Sequence, residues 1–188
     1  RDIILDTSLL NACLFDNGLV MTASAIGDNL VQKEFLHILS KLNRNFLVQR
    51  GLSPREMLQS SKLLSEYIGS LLLRENRSVW IAQREGRTKD GNDATHQGVL
   101  KMLGMGSDET NLMDYFKKIK IVPVSISYEY DPTDALKMPQ LMAEANKEVY
   151  VKDKNEDFTT LMSGIMGQKK RIHIHVCQVL NEEIDEIK

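Results

Sequence analysis

The chain has 188 residues, 42% of them hydrophobic and 27% charged, which fits one globular domain and excludes disordered, collagen-like and fibrous classes. Lys and Arg number 24 against 26 Asp and Glu, so the electrostatic case for a general nucleic-acid binder falls away and any basic site is local. The two cysteines, Cys13 and Cys177, are far apart without ligand-like or redox-like spacing; this excludes a disulfide scaffold and a cysteine-rich zinc site and fits reduced thiols inside a cell.

The chain opens at Arg1 inside the apolar stretch RDIILDTSLLNACLFDNGLVM and reads as a piece of a longer protein. Asp2, Asp6 and Asp16 interrupt that stretch, which therefore lacks both the unbroken centre of a signal peptide and the ~18–20 apolar residues that span a bilayer. Residues 3–15 are predicted to be a helix. MTASAI (21–26) is a short strand ending at Gly27-Asp28, with Asp28 or Asn29 capping a helix whose apolar face is Leu30, Val31, Phe35, Ile38, Leu39 and Leu42. NFLVQ (45–49) is a compact strand. Ser53 followed by Pro54, with Glu56 in the first turn, starts a helix over 54–75 that turns Met57, Leu58, Leu64, Ile68 and Leu71 inward.

SVWIAQ (78–83) is predicted to be a buried strand, followed by the polar turn REGRTKDGND (84–93) and a helix near 95–104. A loop and helix over 105–118 lead to IKIVPVSISYEY (119–130), the strongest strand signal in the chain. Residues 133–150 look helical, and RIHIHVCQV (171–179) alternates with the period of two of a half-buried strand. Helix-like and strand-like segments thus alternate, which predicts an α/β domain with a mostly parallel central sheet flanked by helices over 1–188.

Two strand ends carry the chemistry. In the loop 84–91 cations, a carboxylate and two glycines follow an apolar strand, where α/β folds place ligands. Arginine forks there suit phosphate oxygens, and Glu85 can orient one or bond a substrate hydroxyl; an ordinary charged turn uses the same residues. Arg50 follows FLVQ and precedes Gly51, so two strand ends offer converging arginines, each otherwise a solvated charge. His37, His96, His173 and His175 have no carboxylate or cysteine that completes a metal set, and read as structural or solvent-facing. Arg44, Lys117, Lys118, Lys120, Lys169, Lys170 and Arg171 are solvated charges that can also attract anionic lipid or nucleotide phosphates.

Several blocks in order resemble the glycerol-phosphate acyltransferase branch of the glycerolipid acyltransferase family, across nearly the whole chain. NFLVQR (45–50) is similar to a family motif that ends in a phosphate-binding arginine, the role the resemblance gives Arg50. IAQREGRTKDG (81–91) is similar to the next, which maps substrate binding onto Glu85, Gly86 and Arg87; Ile81-Ala82-Gln83-Arg84 departs from the usual Phe-Pro-type approach. IVPVSISYE (121–129), AIGDNL (25–30) and HQGVLKML (96–103) resemble the remaining blocks.

The family's first motif is His, four residues, Asp. Here the chain begins RDIILD, so the resemblance implies a histidine directly before Arg1, with Asp2 beside it and Asp6 one position beyond the standard spacing. That imidazole would deprotonate the attacking alcohol, and Asp2 or Asp6, the candidate catalytic residues here, would orient it; otherwise Asp2 caps the helix and Asp6 is solvated. The resemblance implies transfer of a fatty acyl group from acyl-CoA or acyl carrier protein to a glycerol 3-phosphate-type acceptor, without cofactor or metal, peripherally on the cytoplasmic face of a membrane. Lysophosphatidate or another lipid alcohol is the alternative acceptor, and a noncatalytic phospholipid-binding module the alternative from another class.

Overall fold

In the computed structural model, which describes residues 3–84 and 94–186, the first eighty residues build a three-stranded parallel sheet. Strand β1 (Ala23–Gly27) lies at its centre, β2 (Asn45–Val48) on one side and β3 (Val79–Trp80) on the other. β1 pairs with β2 from Ser24↔Asn45 to Gly27↔Val48, and with β3 at Ala23↔Val79 and Ser24↔Trp80. The chain passes from β1 to β2 and returns across β1 to β3, so the strand order reverses at β1. In such sheets the crevice beyond the carboxyl ends of the strands at the reversal is where ligands sit.

Helices cover this sheet. α1 (Ile3–Asp16) packs on β1, and α2 (Glu34–Leu42), reached through a 3-10 turn at Asp28–Leu30, packs on β2. α1 is held by Asn11, whose Oδ1 accepts from the Thr22 N–H at 2.8 Å and the Thr22 hydroxyl at 2.9 Å, all buried. α3 (Pro54–Leu73) begins with a capping box: the Ser53 N–H donates to Glu56 Oε2 at 3.0 Å, and Ser53 Oγ accepts from the Glu56 N–H. Both groups are orphan donors of a helix start, which is why Ser-Pro-x-Glu fixes the first turn. The hydrogen bonds from Ser53 hold the Glu56 carboxyl below its ordinary value.

The main core gathers Ile68 of α3, Leu103 of α4 (Gln97–Gly104), Tyr115 and Phe116 of α5 (Leu112–Ile119) and Ile184 of α8 (Asn181–Glu186), with Phe46, Val79 and Ile81 packed against it. A side chain buried as fully as Ile68, 1% exposed, contributes about 1.5–3 kcal/mol by removal from water. Ser65 sits within this apolar contact, 0% exposed; its hydroxyl donates to the Leu103 carbonyl at 2.7 Å and accepts from the Gly106 N–H at 2.9 Å. The end of α4 is thereby tied to α3.

The second half departs from the expected single sheet. β4 (Val124–Tyr128) pairs with β5 (Ile172–Val176) antiparallel, from Val124↔Val176 to Tyr128↔Ile172, in a separate two-stranded sheet. The apolar run 119–130 is therefore a strand over its later half, outside the parallel sheet. The strand expected over 78–83 pairs with β1 through two residues only, Val79 and Trp80. β5 leaves only Ile174 half-buried, more exposed than its alternation predicts. α6 (Asp134–Ala145) stops short of residue 150, and α7 (Glu156–Met166) and α8 lie where no helix is expected. The apolar face expected on residues 30–42 divides: Val31 is buried, while Phe35, Ile38, Leu39 and Leu42 are each more than half exposed and Ser40 points inward. In α3, Ile68 and Leu71 are buried but Met57 and Leu58 stand exposed beyond the core.

Candidate functional site

The parallel sheet brings Gly27 and Val48 level at its carboxyl-terminal edge, with Trp80, the last residue of β3, three positions back beside Ser24, and the chain beyond them carries Asp28-Asn29, Gln49-Arg50 and Gln83-Arg84. Arg50 is exposed there and lies over Gly27: a Cβ at Gly27 would stand 3.3 Å from Arg50 Nε and 2.5 Å from Asn29 Oδ1. The missing side chain at the end of β1 is what lets the guanidinium and the Asn29 carboxamide lie side by side. Gly51 then turns the backbone with φ +69, a conformation glycine adopts without strain. An arginine so placed offers a planar fork of donors that suits phosphate oxygens.

Asp6 stands on α1, the helix that packs on β1. Its neighbours Thr7 and Ser8 line a cavity with Ala25, Ile26, Leu30 and Val31, so the first turns of α1 stand beside the later half of β1. Asp6 is 3% exposed, a buried carboxylate where a solvated one was the alternative. The Tyr128 hydroxyl donates a short hydrogen bond to Asp6 Oδ1, joining the last residue of β4 to the first helix. A carboxyl group taken out of water needs hydrogen-bond partners of this kind. Tyr128 lies in IVPVSISYE, yet nothing in the order of residues marks it as a partner of Asp6; the contact spans 122 positions.

Asp2, Glu85, Gly86 and Arg87 lie outside the described residues. The two ends of the polar loop that holds the last three are joined, by the His96 N–H to the Gln83 carbonyl at 2.9 Å and the Thr95 hydroxyl to Gln83 Oε1 at 3.2 Å. His96 caps α4 through Nδ1, which accepts from the Gly98 N–H at 3.2 Å. His37 is half-buried on α2. His173 and His175 stack on the exposed face of β5 with ring centroids 6.4 Å apart, opposite Ser127 and Ser125. Among the described residues no group of three or more His, Cys, Asp and Glu is placed to hold a metal ion.

Several of the surface cations have local carboxylate or carbonyl partners. Lys117 pairs with Asp185, Lys118 with Glu109 at 2.9 Å and Arg171 with Glu129 at 3.0 Å, while Lys169 donates to the Gly167 carbonyl at 2.7 Å. Beyond β4, burial would raise the Asp131 carboxyl, but the Lys137 ammonium and the Thr133 hydroxyl and N–H hold it down to about 2. No described helix is long and apolar enough to cross a membrane. Comparison with known protein families finds no matching family model, and comparison with curated proteins finds no matching relative.

Proposed function

We propose that the chain is the acyltransferase domain that its motif order resembles, moving a fatty acyl group from acyl-CoA or acyl carrier protein to a glycerol 3-phosphate-type acceptor. The observation that carries this reading is the position of Arg50, exposed just beyond β2 and lying over Gly27 at the carboxyl-terminal end of the parallel sheet, with Asp6 buried on the helix that packs on β1. In the proposed reaction the acceptor hydroxyl attacks the thioester carbonyl, its proton passing to an imidazole as the new C–O bond forms. The C–S bond then breaks and the imidazolium returns the proton to the leaving thiolate.

The base is a histidine that the resemblance puts directly before Arg1, oriented by Asp6 or Asp2. Arg50 and Arg87 hold the acceptor phosphate, Glu85 and Gly86 shape that site, and no metal or cofactor is required. The outward apolar stripe of α2 supports peripheral attachment to a membrane, since helix faces of this kind bury in a lipid interface; the cytoplasmic side is what the resemblance implies. Nucleic acid has no place in this reading.

The test is acyl transfer by the full-length protein supplied with membranes, with labelled glycerol 3-phosphate and lysophosphatidate offered against both donors. Product from glycerol 3-phosphate is the expected result; product from lysophosphatidate alone moves the acceptor to the lipid alcohol. No product with folded protein that still binds acceptor overturns the enzyme reading in favour of a lipid-binding module.

A further inference from the structure

We infer that Tyr128 is a positioning residue for acyl transfer: its hydroxyl fixes the Asp6 carboxylate in the orientation that the catalytic base requires. The inference rests on the acyltransferase reading and gives a role to Tyr128, which lies in the block IVPVSISYE but to which the resemblance assigns none. In β4, Val124, Ile126 and Tyr128 are half-buried while Ser125 and Ser127 are exposed, so the strand's inward edge ends on Tyr128. Among the described residues β4 pairs only with β5, and the phenol leaves that sheet to donate to Asp6 Oδ1 on α1.

The chemistry of the pair fits orientation better than cohesion. A carboxylate that is 3% exposed has lost its hydration, and burying it destabilises a fold relative to an apolar side chain of the same volume. A phenol donor occupying Oδ1 fixes the rotation of the carboxylate about its Cβ–Cγ bond. The other oxygen then points one way, which is the service that a base-orienting carboxylate performs in triads. Tyr128 touches neither acceptor nor donor in this scheme and acts through Asp6.

The experiment compares Tyr128→Phe, Asp6→Asn and the double variant in the full-length, membrane-supplied enzyme. Tyr128→Phe is expected to lower kcat roughly tenfold, the loss of one hydrogen bond to a charged group, with KM for both substrates unchanged. The double variant is expected to be no slower than Asp6→Asn, because both changes break one unit. If Tyr128→Phe fails to fold, para-fluorophenylalanine at the same position fills the hydroxyl's volume without donating, and the same kcat loss is expected. Wild-type kcat in these variants beside an inactive Asp6→Asn overturns the role of Tyr128 and leaves the acyltransferase reading standing. Losses that add in the double variant, or a raised KM, reduce Tyr128 to a structural contact. Full turnover in Asp6→Asn overturns both the inference and the assignment of Asp6.

Discussion

Gly27 closes β1 at a point where its neighbours leave no room for a side chain. A Cβ there meets Asn29 Oδ1 at 2.5 Å and Arg50 Nε at 3.3 Å; the carboxamide can swing aside, but the guanidinium is then displaced from the strand end. Gly27→Ala is therefore expected to raise KM for a phosphate-bearing acceptor roughly tenfold, the effect of misplacing a positioning group, while the melting temperature moves little. Steady-state kinetics beside a thermal melt separate the two, and an unchanged KM removes Arg50 from acceptor capture. Asp131 makes a prediction of the opposite kind, on stability. Its carboxyl is held down to about 2 by Lys137 and Thr133 against the upward push of burial, so the folded state favours the ionised form. The stabilisation is complete above the unfolded carboxylate value of about 3.9 and is lost as pH falls through the folded value. The group is partly exposed and its contribution is screened. Between pH 4 and 2 Asp131→Asn should lose less stability than the parent in urea melts; parallel curves would show that the pair contributes nothing.

Ser65 shows how an element is held by one polar atom inside an apolar contact. Its hydroxyl serves the Leu103 carbonyl and the Gly106 N–H at once, and Gly106 lies so close to α3 that a Cβ there would meet the Glu66 nitrogen at 2.6 Å. Ser65→Ala leaves two polar groups unpaired, at a cost of about 1–3 kcal/mol, and urea denaturation of α3 and α4 together is the check. A variant as stable as the parent would mean that water reaches both groups. Elements of this kind were only partly legible in the sequence. Ser53, Pro54 and Glu56 announce α3 because capping is local chemistry, written within four residues. The helix α7 also has a local signal in the sequence: Asn155, then Glu156 and Asp157 in the first turn, with Phe158, Leu161, Met162 and Ile165 at helical spacing. By contrast, nothing in residues 35–42 says that their apolar stripe faces outward, since periodicity defines a face without saying what covers it. The strand 124–128 was visible, but its partner was not: apolar alternation is the same whether a strand joins a parallel sheet or forms a separate antiparallel pair. The arginine of the site could be read from its place after a strand, whereas the burial of Asp6 depends on a tyrosine in a distant segment.

Across the whole molecule, the parallel sheet with its helices and the β4–β5 pair meet at Tyr128 and Asp6. The sheet is complete once Trp80 has paired with Ser24, all of it from the first eighty residues. The hydrogen bond to Asp6 spans 122 positions, and β4 itself finds its partner only when β5 at Ile172–Val176 is in place. Contacts between distant segments form late, because the intervening chain must give up its freedom before they contribute. Refolding should therefore proceed in an order: in pulse-labelled hydrogen exchange, amides of Ile26 and Gly27 gain protection before those of Ile126 and Tyr128. Simultaneous protection of both sets would show a single cooperative step instead. With the expected order, a chain emerging from the ribosome holds all three strands of the parallel sheet once residue 80 is out, while Asp6 waits nearly a hundred further residues, until β5 has paired with β4, for its settled tyrosine partner.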